Sequence, residues 1–180
     1  MHILKNIRNN WITEKSKCIS FCLLNDIKVT TNWSHIVNIQ EKEKHSIIRR
    51  TTLNKKACFP SNLERQNVSL VLKIFNEKTE AALRCDGHSN TAYFIQHVTK
   101  MFNIVNVKRP NVHKILNDPN RAQIEFVEDE RLQFLLAYAA AVKIMLSAKG
   151  FNRYHCFTRQ TRDAIFQTLS GLVYIIWLKS

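Results

Sequence analysis

Cysteine and histidine side chains are the first groups in this sequence that could bind a metal. Cys18 and Cys22 lie four positions apart, and His35 and His45 follow them. A structural zinc site needs four converging ligands, usually in tighter pairs than these. Ordinary core or solvated side chains are the alternative, and we predict no metal site here. The 5 cysteines are odd in number and irregularly spaced, which indicates reduced thiols rather than a disulfide framework.

The acidic run Glu128, Asp129 and Glu130 is a second candidate for metal chemistry. Consecutive positions at a helix start direct their carboxylates differently, so we predict a cap that faces the positive end of a helix instead. The phosphate-binding pattern G-x-x-x-x-G-K-[ST] does not occur, which excludes a P-loop. Neither a Cys/His pair nor a Ser/His/Asp set stands out. The spacing of residues therefore predicts no catalytic residue.

The charge of the chain indicates the class of partner. Its formal net charge is +13, which favours contact with DNA, RNA or nucleotide phosphates. A solubilising surface without a dedicated partner is the alternative. The longest apolar runs are far shorter than the ~20 residues that cross a bilayer, and no signal peptide opens the chain. We expect a nuclear or cytoplasmic protein that is not secreted and has no membrane partner.

The elements that must position any site are predicted to be mostly α-helical. Only 3 glycines and 3 prolines argue against an all-β design. Helical periodicity predicts one helix over residues 63–85 and a second over 90–108, with a break at 86–88. Ser61 and Glu64 have the capping-box spacing at the start of the first of these helices. Pro110 restricts Arg109 and ends the second helix.

Further helices are predicted at both ends of the chain. Residues 1–14 form an amphipathic helix whose apolar stripe, which includes Trp11, needs a partner. A largely buried helix is predicted over 125–148, and a last helix over 158–179 with Thr158 as its cap. Residues 15–60 lack sustained periodicity, apart from a short helix around 33–38. This part has the least ordered pattern in the chain.

Several segments, in one order along the whole chain, resemble landmarks of the P element-type (THAP-domain) DNA transposases. No single one of them is highly specific, and the resemblance depends on their order. The segments are HILKNIRNN (2–10), LERQNVSLVLKIF (63–75), TAYFI (91–95), FNIVN (102–106), NDPNR (117–121), and TRQT to GLV (158–173).

The resemblance implies a fold and a ligand. It implies a remnant of an RNase H-like fold over residues 1–60 and a helical GTP-binding insertion domain over 61–180. The family's aromatic-acid-x-x-Asn signature, which helps to hold the guanine nucleotide, matches Phe102, Asn103 and Asn106. Phe102 would stack on the purine and Asn106 would bind its edge. The family's acid is Asn103 here, and an amide lacks the paired acceptors that guanine N–H groups prefer.

Charge adds Lys108 and Lys114 as candidate phosphate contacts, with GTP as the ligand and Mg²⁺ as a companion of its phosphates. Core packing of Phe102 and solvated surface lysines are the alternatives. The family's catalysis resembles two-metal phosphoryl transfer by three carboxylates. The first of them would precede His2, and the last would follow the final helix. We therefore expect no catalytic activity and no THAP module in this chain.

Two other functions are compatible with the same sequence. The chain could be a basic helical module that contacts DNA or RNA backbones without a nucleotide pocket. It could also be an interaction fragment that docks on a full-length transposase or self-associates. In that case the apolar stripe of residues 1–14, left exposed, would be the docking surface.

Overall fold

The computed structural model describes residues 2–13, 17–22, 28–107, 111–124, 126–145 and 156–178. Two antiparallel strands pair Cys18 with Asn32 at one end and Cys22 with Lys28 at the other. The strands are β1 (Cys18–Cys22) and β2 (Lys28–Asn32). The helices are α1 (His2–Thr13), α2 (Trp33–Glu43), α3 (Lys55–Cys58), α4 (Val68–Leu72), α5 (Glu77–Cys85), α6 (Ser89–Val105), α7 (Val112–Leu116), α8 (Glu130–Ile144) and α9 (Arg159–Trp177), with 3₁₀ turns at Glu64–Gln66 and Pro119–Arg121.

The mostly α-helical prediction is confirmed, but residues 15–60 contain more regular secondary structure than predicted. This part contains the β1–β2 hairpin, and α2 continues through the charged run to Glu43. The Asn32 side chain caps α2 by accepting a hydrogen bond from the Ser34 N–H. Ile36 and Ile39 are buried on the inner face of α2. Its apolar residues therefore lie on one helical face despite the polar sequence around them.

The single helix predicted over residues 63–85 is wrong. A 3₁₀ turn, α4 and α5 replace it. The Asn67 side chain caps the start of α4, and the Asn76 side chain caps the start of α5. Asparagine competes for backbone N–H groups in this way, which favours helix starts over helix interiors. The capping box itself is present, because the Ser61 N–H donates to the Glu64 carboxylate at 2.9 Å.

The later helices occupy the predicted stretches, but the end of α6 and both ends of α8 lie three to five residues inside the predicted bounds. Helix α6 ends at Val105, so the predicted continuation to Lys108 is wrong, because residues 106 and 107 are described and are not helical. Helix α8 starts at Glu130 instead of 125, because Asp129 caps it by accepting from the Arg131 N–H. Thr158 caps α9 as predicted. Helix α8 is less buried than predicted, and the end of α9 faces outward; Phe126, Leu136, Ile144 and Trp177 are all exposed.

The apolar stripe of α1 is buried, so the prediction that it is an exposed docking surface is wrong. Trp11 is 0% exposed. Its ring lies edge-on to Trp33, with centroids 5.1 Å apart, and edge-on to Phe94 at 5.0 Å. The Thr158 N–H also donates to the Asn10 side chain at 2.7 Å, which joins the end of α1 to the start of α9. Helix α1 is therefore a central element of the core.

One hydrophobic cluster includes buried residues from Leu4 to Leu169. It combines side chains from both sides of the predicted division between residues 60 and 61, and that division stays a prediction. Within the described ranges, none of the helices is both long and apolar enough to cross a membrane.

Candidate functional site

Helix α6 carries the residues that the sequence singled out, and it borders two clefts. Phe102 and Asn106 are one turn apart and line the first, which we name the α1–α6 cleft. Its volume is about 230 Å³. The Asn106 N–H donates to the Phe102 carbonyl at 2.9 Å, which closes the last turn of α6. The remaining lining residues are His2, Ile3, Leu4, Met101, Val105 and Thr168.

The α1–α6 cleft has apolar walls with a few polar groups. Phe102 is half-buried and packs against the hydrophobic core, so its ring is held in place. The Asn106 amide, the Thr168 hydroxyl and the His2 imidazole are the polar groups among its lining residues. Such a site suits a flat aromatic ligand with hydrogen-bonding edges. Ligand sites are usually about 300–1,000 Å³, so this cleft would enclose a base rather than a whole nucleotide.

Asn103 lies in a different cleft, which we name the Asn103 cleft, of about 370 Å³. Glu77, Glu80, Lys100 and Asp118 provide its charged groups. Asn103 itself is only 3% exposed. The structure therefore brings Phe102 and Asn106 together and separates Asn103 from both of them.

The Asn103 amide is committed to hydrogen bonds within the chain. Its Oδ1 accepts from Arg121 Nη2 at 2.7 Å, and its Nδ2 donates to Asp118 Oδ2 at 2.9 Å. Arg121 Nε donates to the same Asp118 oxygen at 3.0 Å, which closes a triangle of three side chains. Glu77 Oε1 lies 3.5 Å from Asn103 Nδ2. Asn103 thus joins α6 to the 3₁₀ turn Pro119–Arg121, and these partners hold its buried amide.

This triangle explains why an amide suits position 103. A carboxylate there would meet Asp118 and Glu77, two groups of its own charge, although it could still pair with Arg121. Sequence analysis missed the roles of Asp118 and Arg121. The run NDPNR contains both residues, and Asp118 also caps the 3₁₀ turn. No local sequence pattern, however, indicates that this run contacts Asn103.

The other predicted site residues lie elsewhere. Lys114 is exposed on α7 and is not among the residues that line either cleft. Lys108 lies outside the described residues, as does the side chain of Cys22. Among the residues that the structure describes, no group of three or more acids, histidines or cysteines is placed to hold a metal ion. Arg131 pairs with Asp129 and lowers the pKa of that carboxyl through their hydrogen bond.

No known protein family matches this sequence, and no curated protein matches it either. The structure is similar to a solved Drosophila P element transposase strand transfer complex, with a TM-score of 0.66 at 15% sequence identity. The similarity covers 99% of this chain and 39% of that transposase chain. At this identity the similarity concerns the fold. This chain therefore has a fold that also occurs in a part of a P element transposase, as the resemblance in sequence implied.

Proposed function

We propose that this chain is a transposase-type helical module that binds a purine nucleotide in the α1–α6 cleft, with GTP as the first candidate. The observation that carries the proposal is that Phe102 and Asn106 line the same cleft. Phe102 would stack on the base, and the Asn106 amide would donate to and accept from its edge. The similarity of fold to a part of a P element transposase supports the transposase-type part of the proposal only.

Discrimination between guanine and adenine is expected to be weak. Guanine presents two neighbouring N–H donors, which a carboxylate recognises best. The residues that line the α1–α6 cleft include no carboxylate. Asn103, which stands where the family has its acid, is held by Arg121 and Asp118 in the other cleft. The chemistry of the donor set therefore fits a purine in general.

The phosphates would lie outside the small cleft. Lys108 and Lys114 stay part of the proposal as phosphate contacts, supported by the net charge of +13. Mg²⁺ would accompany the phosphates, and we assign it no protein ligand. Cutting or joining of DNA is not part of the proposed function.

Isothermal titration with GTP and with ATP tests this proposal. We expect binding of both nucleotides, with dissociation constants that differ by less than about tenfold, a difference of ~1.4 kcal/mol. Phe102→Ala should weaken both. The absence of heat with either nucleotide, on protein that circular dichroism shows to be folded, would remove the nucleotide from the proposal.

A second candidate function is binding to a nucleic-acid backbone. The strong positive charge supports it, because a basic protein releases counterions when it neutralises phosphates. A gel shift that weakens steeply with added salt, and that does not change with added GTP, would favour this function. We do not propose docking through the apolar stripe of α1, because Trp11 is buried.

A further inference from the structure

Two consecutive isoleucines project into solvent between α2 and α3. Ile47 is 102% exposed and Ile48 is 82% exposed. Single exposed apolar residues are common on protein surfaces and need no explanation. Two adjacent isoleucines at nearly full exposure, at the tip of one loop, are a different case. We name residues 44–50 the Ile47–Ile48 loop.

The Ile47–Ile48 loop is held at its base by a buried acid. The Glu43 carboxylate accepts hydrogen bonds from the Thr51 hydroxyl at 2.6 Å and from the Thr51 N–H at 3.2 Å. It also accepts from the Arg50 N–H at 3.2 Å, and Arg50 Nη1 donates to Asp86 at 3.0 Å. The Ser46 hydroxyl donates to the Ile48 carbonyl at 2.6 Å across the tip. Both ends of the loop are thus fixed to α2 and to the end of α5.

Cations lie close to the exposed isoleucines in the sequence. Arg49 follows Ile48 directly, Lys44 lies three positions before Ile47, and both are exposed. The acids in residues 41–56 are Glu41 and Glu43, whereas the Lys and Arg residues are Lys42, Lys44, Arg49, Arg50, Lys55 and Lys56. Among the described residues, Arg49 and Lys55 form no ion pair. The loop therefore presents an apolar tip with Lys44 before it and Arg49 after it in the sequence.

We propose that the Ile47–Ile48 loop is a wedge that inserts into the minor groove of double-stranded DNA. Apolar side chains such as isoleucine enter between base steps, unstack them and bend the duplex. Lys44, Arg49 and Lys55, which line one pocket beside the base of the loop, would contact phosphates near the inserted tip. The fixed base of the loop resists the force of insertion, because Glu43, Thr51 and Arg50 hold it. The proposal deepens the second candidate function and is independent of the nucleotide cleft.

A protein partner fits the same surface less well. Stable protein interfaces bury about 1,200–2,000 Å² around an apolar centre from which charged residues are depleted. Here the exposed apolar residues of the loop are two isoleucines, which Ser46 precedes and Arg49 follows. Cations next to an apolar tip complement DNA, because the phosphates supply the opposite charge and the base stack supplies the apolar contact.

A duplex of about 30 base pairs with 2-aminopurine at a flexible TA step tests the proposal. Fluorescence anisotropy measures binding, and the rise in 2-aminopurine emission measures unstacking. We expect the wild-type protein to bind and to raise the emission. The double variant Ile47→Ala/Ile48→Ala should bind about tenfold more weakly and lose the rise, with an unchanged dependence on salt. Arg49→Gln should keep the rise and lower the salt slope by about one.

Ile115→Ala is the matched control, since Ile115 is an exposed isoleucine on α7, away from the loop in sequence. It should leave both signals unchanged. If the wild type does not bind DNA, the second candidate function and the wedge are both wrong. If it binds but the double variant raises the emission equally, only the wedge is wrong. A loss of self-association in sedimentation, with unchanged DNA signals in the double variant, would assign the loop to a protein contact and overturn the proposal.

Discussion

Phe102 and Asn103 are adjacent in the sequence, but their side chains line different clefts of α6. Successive residues of an α-helix point about 100° apart, because a turn takes 3.6 residues. The residue that shares the cleft of Phe102 is Asn106, one turn later. A signature that is continuous along the chain is thus divided between the proposed ligand contact and a structural hydrogen-bond triangle.

Phe102→Ala should weaken nucleotide binding by about tenfold or more, because base stacking on an aromatic ring contributes ~1–3 kcal/mol. Asn106→Ala should weaken it less, since it removes contacts to the base edge only. Isothermal titration with GTP and ATP measures both effects. Phe126→Ala, which removes an exposed ring, should leave the affinity unchanged. Binding that survives Phe102→Ala but is lost in a folded variant of Asn103 would assign the ligand to the Asn103 cleft instead.

Asn103→Asp should destabilise the fold by about 2 kcal/mol. The new carboxylate replaces the Nδ2 donor that lies 2.9 Å from Asp118 Oδ2. It therefore turns a hydrogen bond into repulsion at a site that is almost fully buried. Urea denaturation measures the free energy of unfolding. Asn38→Asp, at an exposed position of α2, should change it by less than about 0.5 kcal/mol. Equal stability of the two variants would contradict the triangle.

Trp11→Ala should destabilise the protein by about 3–5 kcal/mol. Its ring is buried against Trp33 and Phe94, so truncation leaves a cavity at the junction of α1, α2 and α6. Thermal and urea denaturation measure the change, with Phe126→Ala as the exposed aromatic control. If Trp11→Ala instead left stability intact and reduced self-association, α1 would be a surface element and the packing described above would be wrong.

Stability should fall as the pH drops through about 6.5, the ordinary histidine pKa. Burial lowers the pKa of His35, and the stacked ring of His88, 3.8 Å away, lowers it further. The unfolded chain therefore binds protons first, and the loss is complete below the folded pKa. Burial also lowers the pKa of His97. His35→Gln should reduce the slope without removing it, whereas His45→Gln, at an exposed position, should not change it. Urea denaturation between about pH 7 and about pH 5 measures how the free energy of unfolding depends on pH. An equal slope in the wild type and in His35→Gln would contradict the prediction.

Cys58 should be protected from alkylation in the folded protein. Burial raises the pKa of its thiol to about 12, so almost none of it is thiolate near neutral pH. Cys85 is exposed and should react first with iodoacetamide. Peptide mapping by mass spectrometry measures both, and denaturant should make Cys58 react as well. Rapid labelling of Cys58 without denaturant would show that the packing around α3 is not as described.

The sequence by itself determined where most helices lie and which end signals they use. Periodicity located α6, α8 and α9, because one buried face imposes a repeat of 3.6 residues. Local capping at Ser61 and Thr158 could be read directly, since each cap involves residues only three positions apart. The interruptions at Asn67 and Asn76 are also local, but an asparagine inside a periodic stretch does not reveal whether it caps a helix or merely lies on its surface.

Only the tertiary structure determined which residues each helix face packs against. The sequence predicted that the apolar stripe of α1 has no partner within the chain. In the structure it is part of the core, because Trp33 and Phe94 from distant segments pack against Trp11. The sequence predicted Asn103 as a ligand contact. In the structure its amide forms hydrogen bonds with Arg121 and Asp118, which lie 18 and 15 residues later in the chain. Periodicity tells which face is apolar, but which side chain meets which depends on long-range contacts that a local pattern does not contain.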